Sequence, residues 1–302
     1  MIESLNQRFA RDSDDLKVRF RSGPGDIPWL ELSNPLGYIE LCLQGAHLTR
    51  WRTQSGRQVF WMSKKARMQR AKAIRGGVPL CWPWFGAHPE VADFPAHGIA
   101  RIALWQPVSL RRDASGHAVL ELVLDSDQLD DSLQRLWPFA SRLTYRIELG
   151  ASLRLQLTTL NRSDHDLPVS QALHTYFSVG DLASARVSGL EQVEYLDKPS
   201  GFTRCPAAGE AIRFDAEVDR IYAAAPDPVT LSDQGNITRI HPEGSRSTVV
   251  WNPGEAVAAT MDDIPSGGYR EFACIETANA ADDAVSLAPG ASHTLGVIYR
   301  TD

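Results

Sequence analysis

Leu143-Thr144-Tyr145-Arg146-Ile147-Glu148-Leu149 and Leu153-Arg154-Leu155-Gln156-Leu157-Thr158 decide how this chain folds. Each run alternates apolar and polar residues without a fault. A β-strand points successive side chains to opposite faces, so such a run buries one face and wets the other. The link between them, Gly150-Ala151-Ser152, is short and contains a glycine, which fits an antiparallel hairpin.

Working outward, Tyr38–Leu43, Ala118–Leu124, Ser247–Trp251, Phe272–Glu276 and His293–Tyr299 are further strand candidates. Only Asp127–Leu136 reads as a short helix, ended near Pro138. Many short strands with no β–α alternation predict an all-β fold, a large antiparallel β-sandwich with little helix. No Pro/Ser-rich linker or charge block divides the chain, so one domain over residues 1–302 is expected. Its first twenty residues, polar and charged, are expected to pack loosely.

Composition narrows the function classes. With 302 residues, 43% hydrophobic and 23% charged, the chain has the material for a sizeable core. A net charge of -6 argues against nucleic acid or an anionic membrane as partner. No apolar run approaches the roughly 20 residues that spanning a bilayer requires. Met1–Gln7 lacks the basic start and apolar core of a signal peptide. Cys42, Cys81, Cys205 and Cys274 are too scattered for a disulfide framework or a zinc site, which fits a reducing, cytoplasmic setting. An anionic ligand would need a local arginine pocket, because the net field is against it.

Two segments offer such a pocket: Arg75-Gly-Gly-Val-Pro-Leu-Cys-Trp-Pro-Trp-Phe-Gly86 and Phe94-Pro-Ala-His97-Gly-Ile-Ala-Arg101. Their Gly and Pro content reads as surface loop rather than strand or helix. Aromatic faces suit the apolar face of a sugar, and an Arg fork suits phosphate. Three more segments carry candidate chemistry: Leu173-His174-Thr-Tyr-Phe177, Glu217-Val-Asp219-Arg-Ile-Tyr222 and Cys274-Ile-Glu276-Thr-Ala-Asn279. A lone His beside aromatics is ordinarily a hydrogen-bonded structural residue, and Asp219 in a charged stretch is ordinarily solvated. Glu276 stands out, because a carboxylate in an apolar strand costs several kcal/mol unless it has a partner.

The remaining chemistries find no support. HxH, HxxxH and CxxC spacings are absent, so no metal is expected. Gly-x-Ser-x-Gly, GxGxxG and Walker-type loops are absent too, leaving no serine nucleophile and no nucleotide cofactor. His-plus-carboxylate acid–base chemistry on a small polar molecule with an anionic handle is what is left.

Taken together, the five segments and Val250-Trp251-Asn252-Pro253 resemble the glucose-6-phosphate 1-epimerases, the hexose-6-phosphate mutarotases of the aldose 1-epimerase superfamily. The motifs occur in the family's order, from about residue 30 to the C-terminus. The resemblance implies a sandwich of the galactose-mutarotase type, a small-molecule sugar phosphate as ligand and no cofactor. It also implies His174 as catalytic acid, Glu276 as catalytic base, Arg75, Arg101 and Asp219 as substrate contacts, and His97 in the same pocket. Two positions depart from the family pattern: Ala96 stands where many relatives have Gln, and Gly254 where a bulky residue often follows Trp-Asn-Pro. Ala96 removes a possible hydrogen bond to the ligand. Alternatives are an aldose 1-epimerase of unphosphorylated sugars and a non-catalytic carbohydrate-binding protein. A glycoside hydrolase would need a second firm carboxylate.

Overall fold

The two alternating runs form nine-residue strands, Ser141–Leu149 and Leu153–Asn161, paired antiparallel with Leu149 opposite Leu153. In this computed structural model, which describes residues 1–302, the alternation decides what each face meets. Leu143, Tyr145, Ile147, Leu149, Leu153, Leu155 and Leu157 are fully buried. On the other face Arg146 pairs with Glu121 on the neighbouring strand and Glu148 on its own.

The hairpin lies inside an eight-stranded antiparallel sheet. On one side of it come Ala118–Asp125 and Gln106–Arg112; on the other, Ser292–Thr301, Asn236–Glu243, Val229–Asp233 and Arg186–Ser188. A second large sheet runs in the order Thr203–Cys205, Tyr195–Asp197, Val218–Tyr222, Ser247–Asn252, Phe272–Asn279, Gln171–Leu173 and Leu80–Cys81, with Tyr176–Ser178 also paired to Phe272–Asn279. A five-stranded meander from Arg11 to Thr53 completes the architecture. With 46% strand against 11% helix, the fold is the all-β sandwich that the alternation predicts.

One continuous apolar cluster joins the three sheets, with Leu30 and Leu41 from the meander, Leu155, Val297 and Tyr299 from the first large sheet, and Val250 and Ile275 from the second. Each such side chain contributes about 1.5–3 kcal/mol of burial free energy. The second large sheet is covered on both faces. Along Phe272–Asn279 every residue is buried: Ala273 and Ile275 enter the sandwich core, while Cys274 and Glu276 point to the other face.

Three sequence expectations need correction. The N-terminal twenty residues are not loosely packed: Ile2–Phe9 is helical, Leu16–Ser22 joins the meander, and Phe9, Leu16, Val18 and Phe20 are buried in the main core. The expected helix over Asp127–Leu136 splits into a 3-10 turn at Ser126–Gln128 and a helix at Asp131–Leu136. Its N-cap is Asp130, whose carboxylate accepts from the Ser132 and Leu133 amides. The two glycine-rich segments are irregular apart from the Leu80–Cys81 strand, but they are not surface loops: Val78, Leu80, Trp82, Ile99 and Ala100 are fully buried. No helix is long and apolar enough to cross a membrane.

Candidate active site

Strand register assembles the site on the non-core face of the second large sheet. Asp219 faces Trp251, Trp251 faces Cys274, and Cys274 faces Tyr176, so these four side chains cross the sheet in one row. In the adjoining row Ile221 faces Val249, and Val249 faces Glu276. His174 follows the Gln171–Leu173 strand, its amide donating to the Pro79 carbonyl. The loops deliver Arg75, Phe85, His97 and Arg101 over this surface. The result is a cleft of about 280 Å³ that brings together all six sequence-predicted residues: Arg75, His97, Arg101, His174, Asp219 and Glu276.

The loops reach that position because glycines permit close approaches. Gly98 has φ of 72°, and a Cβ there would sit 2.0 Å from the Trp82 carbonyl oxygen. That contact lets Trp82 accept from the Ile99 amide at 2.8 Å, joining the loops on both sides of His97. Gly254, the departure after Trp-Asn-Pro, has φ of 62° and leaves no room for a side chain against the Glu217 backbone. Asn252 in the same motif is structural: its amide donates to the carbonyls of Tyr269 and Phe272, fixing the strand that presents Trp251.

The aromatics that line the cleft differ from the sequence expectation. Trp82 is wholly buried against Trp137, and Trp84 is buried with its indole N–H on the Pro95 carbonyl. Phe85 and Trp251 line the cleft instead.

At the centre, His174 Nδ1 lies 3.3 Å from Glu276 Oε1. His174 is 7% exposed and Glu276 only 1%, and neither His174 Nδ1 nor Glu276 Oε2 has a hydrogen-bond partner. Burial pushes the Glu276 carboxyl well above its usual range; Lys198 opposes this and Asp219 adds to it. Burial likewise drives the His174 imidazole well below its usual value, with Arg75 and Arg101 adding to the effect. The His174 ring stacks on Tyr176 with centroids 5.0 Å apart and planes within 8°.

Two guanidiniums flank this pair. Arg75 Nε bonds Asp263 Oδ2 at 3.1 Å and its Nη1 donates to the Tyr176 hydroxyl at 2.9 Å. Burial disfavours the Arg75 charge, but Tyr176 and Asp263 outweigh it and hold the proton more tightly than usual. Arg101 has no ion-pair partner; its side chain donates to the Ala96 carbonyl at 2.6 Å, and burial together with Arg75 lowers its pKa. His97 Nδ1 accepts from the Gly86 amide at 3.3 Å, and burial and the Arg101 charge keep its ring neutral. Its Nε2 therefore carries the hydrogen as a donor.

Asp219 is not solvated, contrary to the default reading. Lys198 Nζ binds its Oδ2 at 2.6 Å, while Oδ1 is buried without a partner. Burial raises the Asp219 pKa, and Lys198 counteracts it. Sequence reasoning missed Lys198 and Asp263. Lys198 had only its rarity as a signal, being one of five lysines.

Donor atoms of His174, Cys274 and Glu276 all lie within 4.8 Å of one another, close enough for an ion. Metal ligands must be deprotonated, however, and burial followed by Glu276 pushes the Cys274 thiol well above its usual value. The trio fits proton transfer better than metal binding.

The fold is that of sugar mutarotases, which are isomerases. A family profile described as aldose 1-epimerase matches residues 28–300. The chain belongs to the aldose 1-epimerase family. It is 34% identical over 261 residues to a Cenchrus ciliaris protein named "putative glucose-6-phosphate 1-epimerase", covering 83% of this chain and 77% of that one. An Escherichia coli K12 protein of the same name is 33% identical, with 85% of each chain covered. Among solved structures, a "putative mutarotase" from Salmonella typhimurium superposes with a TM-score of 0.86 at 27% identity, over 97% of this chain and 95% of the other. A galactose mutarotase-like protein from Clostridium acetobutylicum, 14% identical, shares the fold with a TM-score of 0.74, over 96% of this chain and 99% of that one.

Proposed function

We propose that this mutarotase interconverts the α and β anomers of a hexose 6-phosphate, with glucose 6-phosphate as the favoured case. The observation that carries the reading is the pairing of a buried His174–Glu276 dyad with two guanidiniums in one cleft, one of them, Arg101, without an anion. The names borne by the relatives at 33% and 34% identity point the same way.

Ring opening removes a proton from the C1 hydroxyl and delivers one to the ring oxygen. Glu276 takes the first and His174 gives the second; rotation about C1–C2 then presents the other carbonyl face, and the transfers reverse. Glu276 Oε2, buried and unpartnered, is the atom free to accept. Each acid–base group typically supplies about 10²–10⁴-fold, sufficient for a reaction that proceeds unaided in water. Phe85 and Trp251 offer apolar walls to the ring, and Asp219 Oδ1 and His97 Nε2 offer hydrogen bonds to hydroxyls. Arg75 and Arg101 hold the phosphate, whose binding energy aligns the reacting carbon.

Arg101→Ala tests the phosphate contact. A charge-assisted hydrogen bond contributes about 1.5–3 kcal/mol, so KM for glucose 6-phosphate should rise by roughly 10–100-fold, with Arg101→Lys recovering only part. KM for glucose should scarcely change. Equal losses on both sugars would mean that Arg101 contacts the ring or supports the fold, and the phosphate assignment would fall.

A further inference from the structure

The dyad holds one exchangeable proton. A neutral Glu276–His174 pair and an ionised one, carboxylate beside imidazolium, contain the same number of protons and differ only in where that proton sits. Ring opening starts from the ionised arrangement, because the carboxylate must accept and the imidazolium must donate.

The protein groups that line the cleft favour the other arrangement on geometric grounds. Both side chains are more than nine-tenths buried, and separating charge in such a place is costly. Arg75 is coupled to His174 through Tyr176, whose hydroxyl accepts from Arg75 at 2.9 Å and whose ring stacks on the imidazole. Arg101 adds a second cation in the same cleft with no anion beside it. Arg75 is already paired with Asp263, so the uncompensated cation that a positive charge on His174 would face is Arg101. On the other flank Lys198 is tied to Asp219, so that pair contributes little net charge at Glu276. The neutral His97 and the protonated Cys81, Cys274, Tyr176 and Tyr299 add no charge. Burial moves the carboxyl and imidazole pKa values in the directions this arrangement requires.

Resting on the hexose 6-phosphate reading, we propose that the substrate's phosphate is a switch as well as a handle: by neutralising Arg101, the cation with no protein anion beside it, it moves the dyad's proton from Glu276 to His174. The transfer is internal and conserves the proton; one O–H bond breaks and one N–H bond forms. A sugar without phosphate then reaches the same site but finds the dyad in its idle form. Binding energy from a remote group appears in kcat, not only in KM.

The test separates the phosphate from the sugar. Enzyme saturated with glucose is assayed by NMR anomer exchange while inorganic phosphite is titrated in, with the enzyme-free rate subtracted because oxyanions catalyse mutarotation themselves. Phosphite should raise enzyme-bound glucose turnover by at least about tenfold, one unit of relative proton affinity. The rise should saturate, and Arg101→Met should abolish it, so that phosphite gives no activation at any concentration. Phosphite should also inhibit glucose 6-phosphate exchange competitively. Competition without activation overturns the switch, and so does a glucose kcat equal to that of glucose 6-phosphate, whether or not phosphite binds. If glucose 6-phosphate itself is not exchanged, the underlying functional reading fails instead.

Discussion

Replacing Glu276 by Gln should abolish anomer exchange without loosening the fold. The side chain is 1% exposed, and burial holds its carboxyl toward the protonated, neutral form. Gln has the same shape and no charge, so it resembles the resting group. Its amide can turn toward His174 Nδ1, the atom 3.3 Å from Oε1, so the substitution strips no buried charge of its partner. Stability should therefore change by no more than about 1 kcal/mol, within the range of volume-conserving swaps. An amide cannot take the C1 hydroxyl proton, so turnover should fall by at least about 10²-fold and by as much as 10⁴-fold. Exchange between the two anomeric proton signals of glucose 6-phosphate gives the rate by NMR, calorimetry gives binding, and urea melts give stability. Rates within threefold of wild type, in a folded variant that still binds, would remove Glu276 from the base role.

His174→Asn should cost at least about 10²-fold in turnover; survival of activity there together with its loss in His97→Asn would move the acid role to His97, whose ring lies 5.5 Å away. Chelation should leave activity unchanged, and loss with EDTA that one particular ion restores would convert the His174–Cys274–Glu276 cluster into a metal site. Asp125, buried and held by Arg142 and Arg162, has its carboxyl lowered by the Arg142 hydrogen bonds. Its contribution to stability is thus complete above the unfolded carboxylate value near pH 4 and is lost as pH falls through its lower native value. Asp125→Asn should destabilise by about 1–3 kcal/mol in urea melts at pH 7, with the difference from wild type shrinking in acid; an equal deficit at pH 7 and pH 2 would contradict the assignment.

Alternation made the sandwich legible, because period two is a direct consequence of strand geometry and survives wherever one face is buried. It also placed Glu276, a charge with no local excuse in an apolar strand. The N-terminal helix escaped because Ile2, Leu5 and Phe9 are too few to show through its polar residues, although their spacing is helical. The partners of the site escaped for a different reason. Lys198 acts on Asp219, and Asp263 and Tyr176 act on Arg75, across stretches of chain that only the tertiary fold brings together. Periodicity likewise cannot say which aromatic of a loop faces inward, so Trp82 and Trp84 looked as available as Phe85. The resemblance pointed to the six residues that line the cleft; it gave no sign that His174 and Glu276 are both so deeply buried.

The account rests most directly on the anomer exchange rate of purified wild-type protein with glucose 6-phosphate, measured by NMR at neutral pH against an enzyme-free control and against glucose. It predicts exchange of the phosphorylated sugar well above the control and more efficient than that of glucose. No acceleration for glucose 6-phosphate, or a higher kcat/KM for glucose, would contradict it.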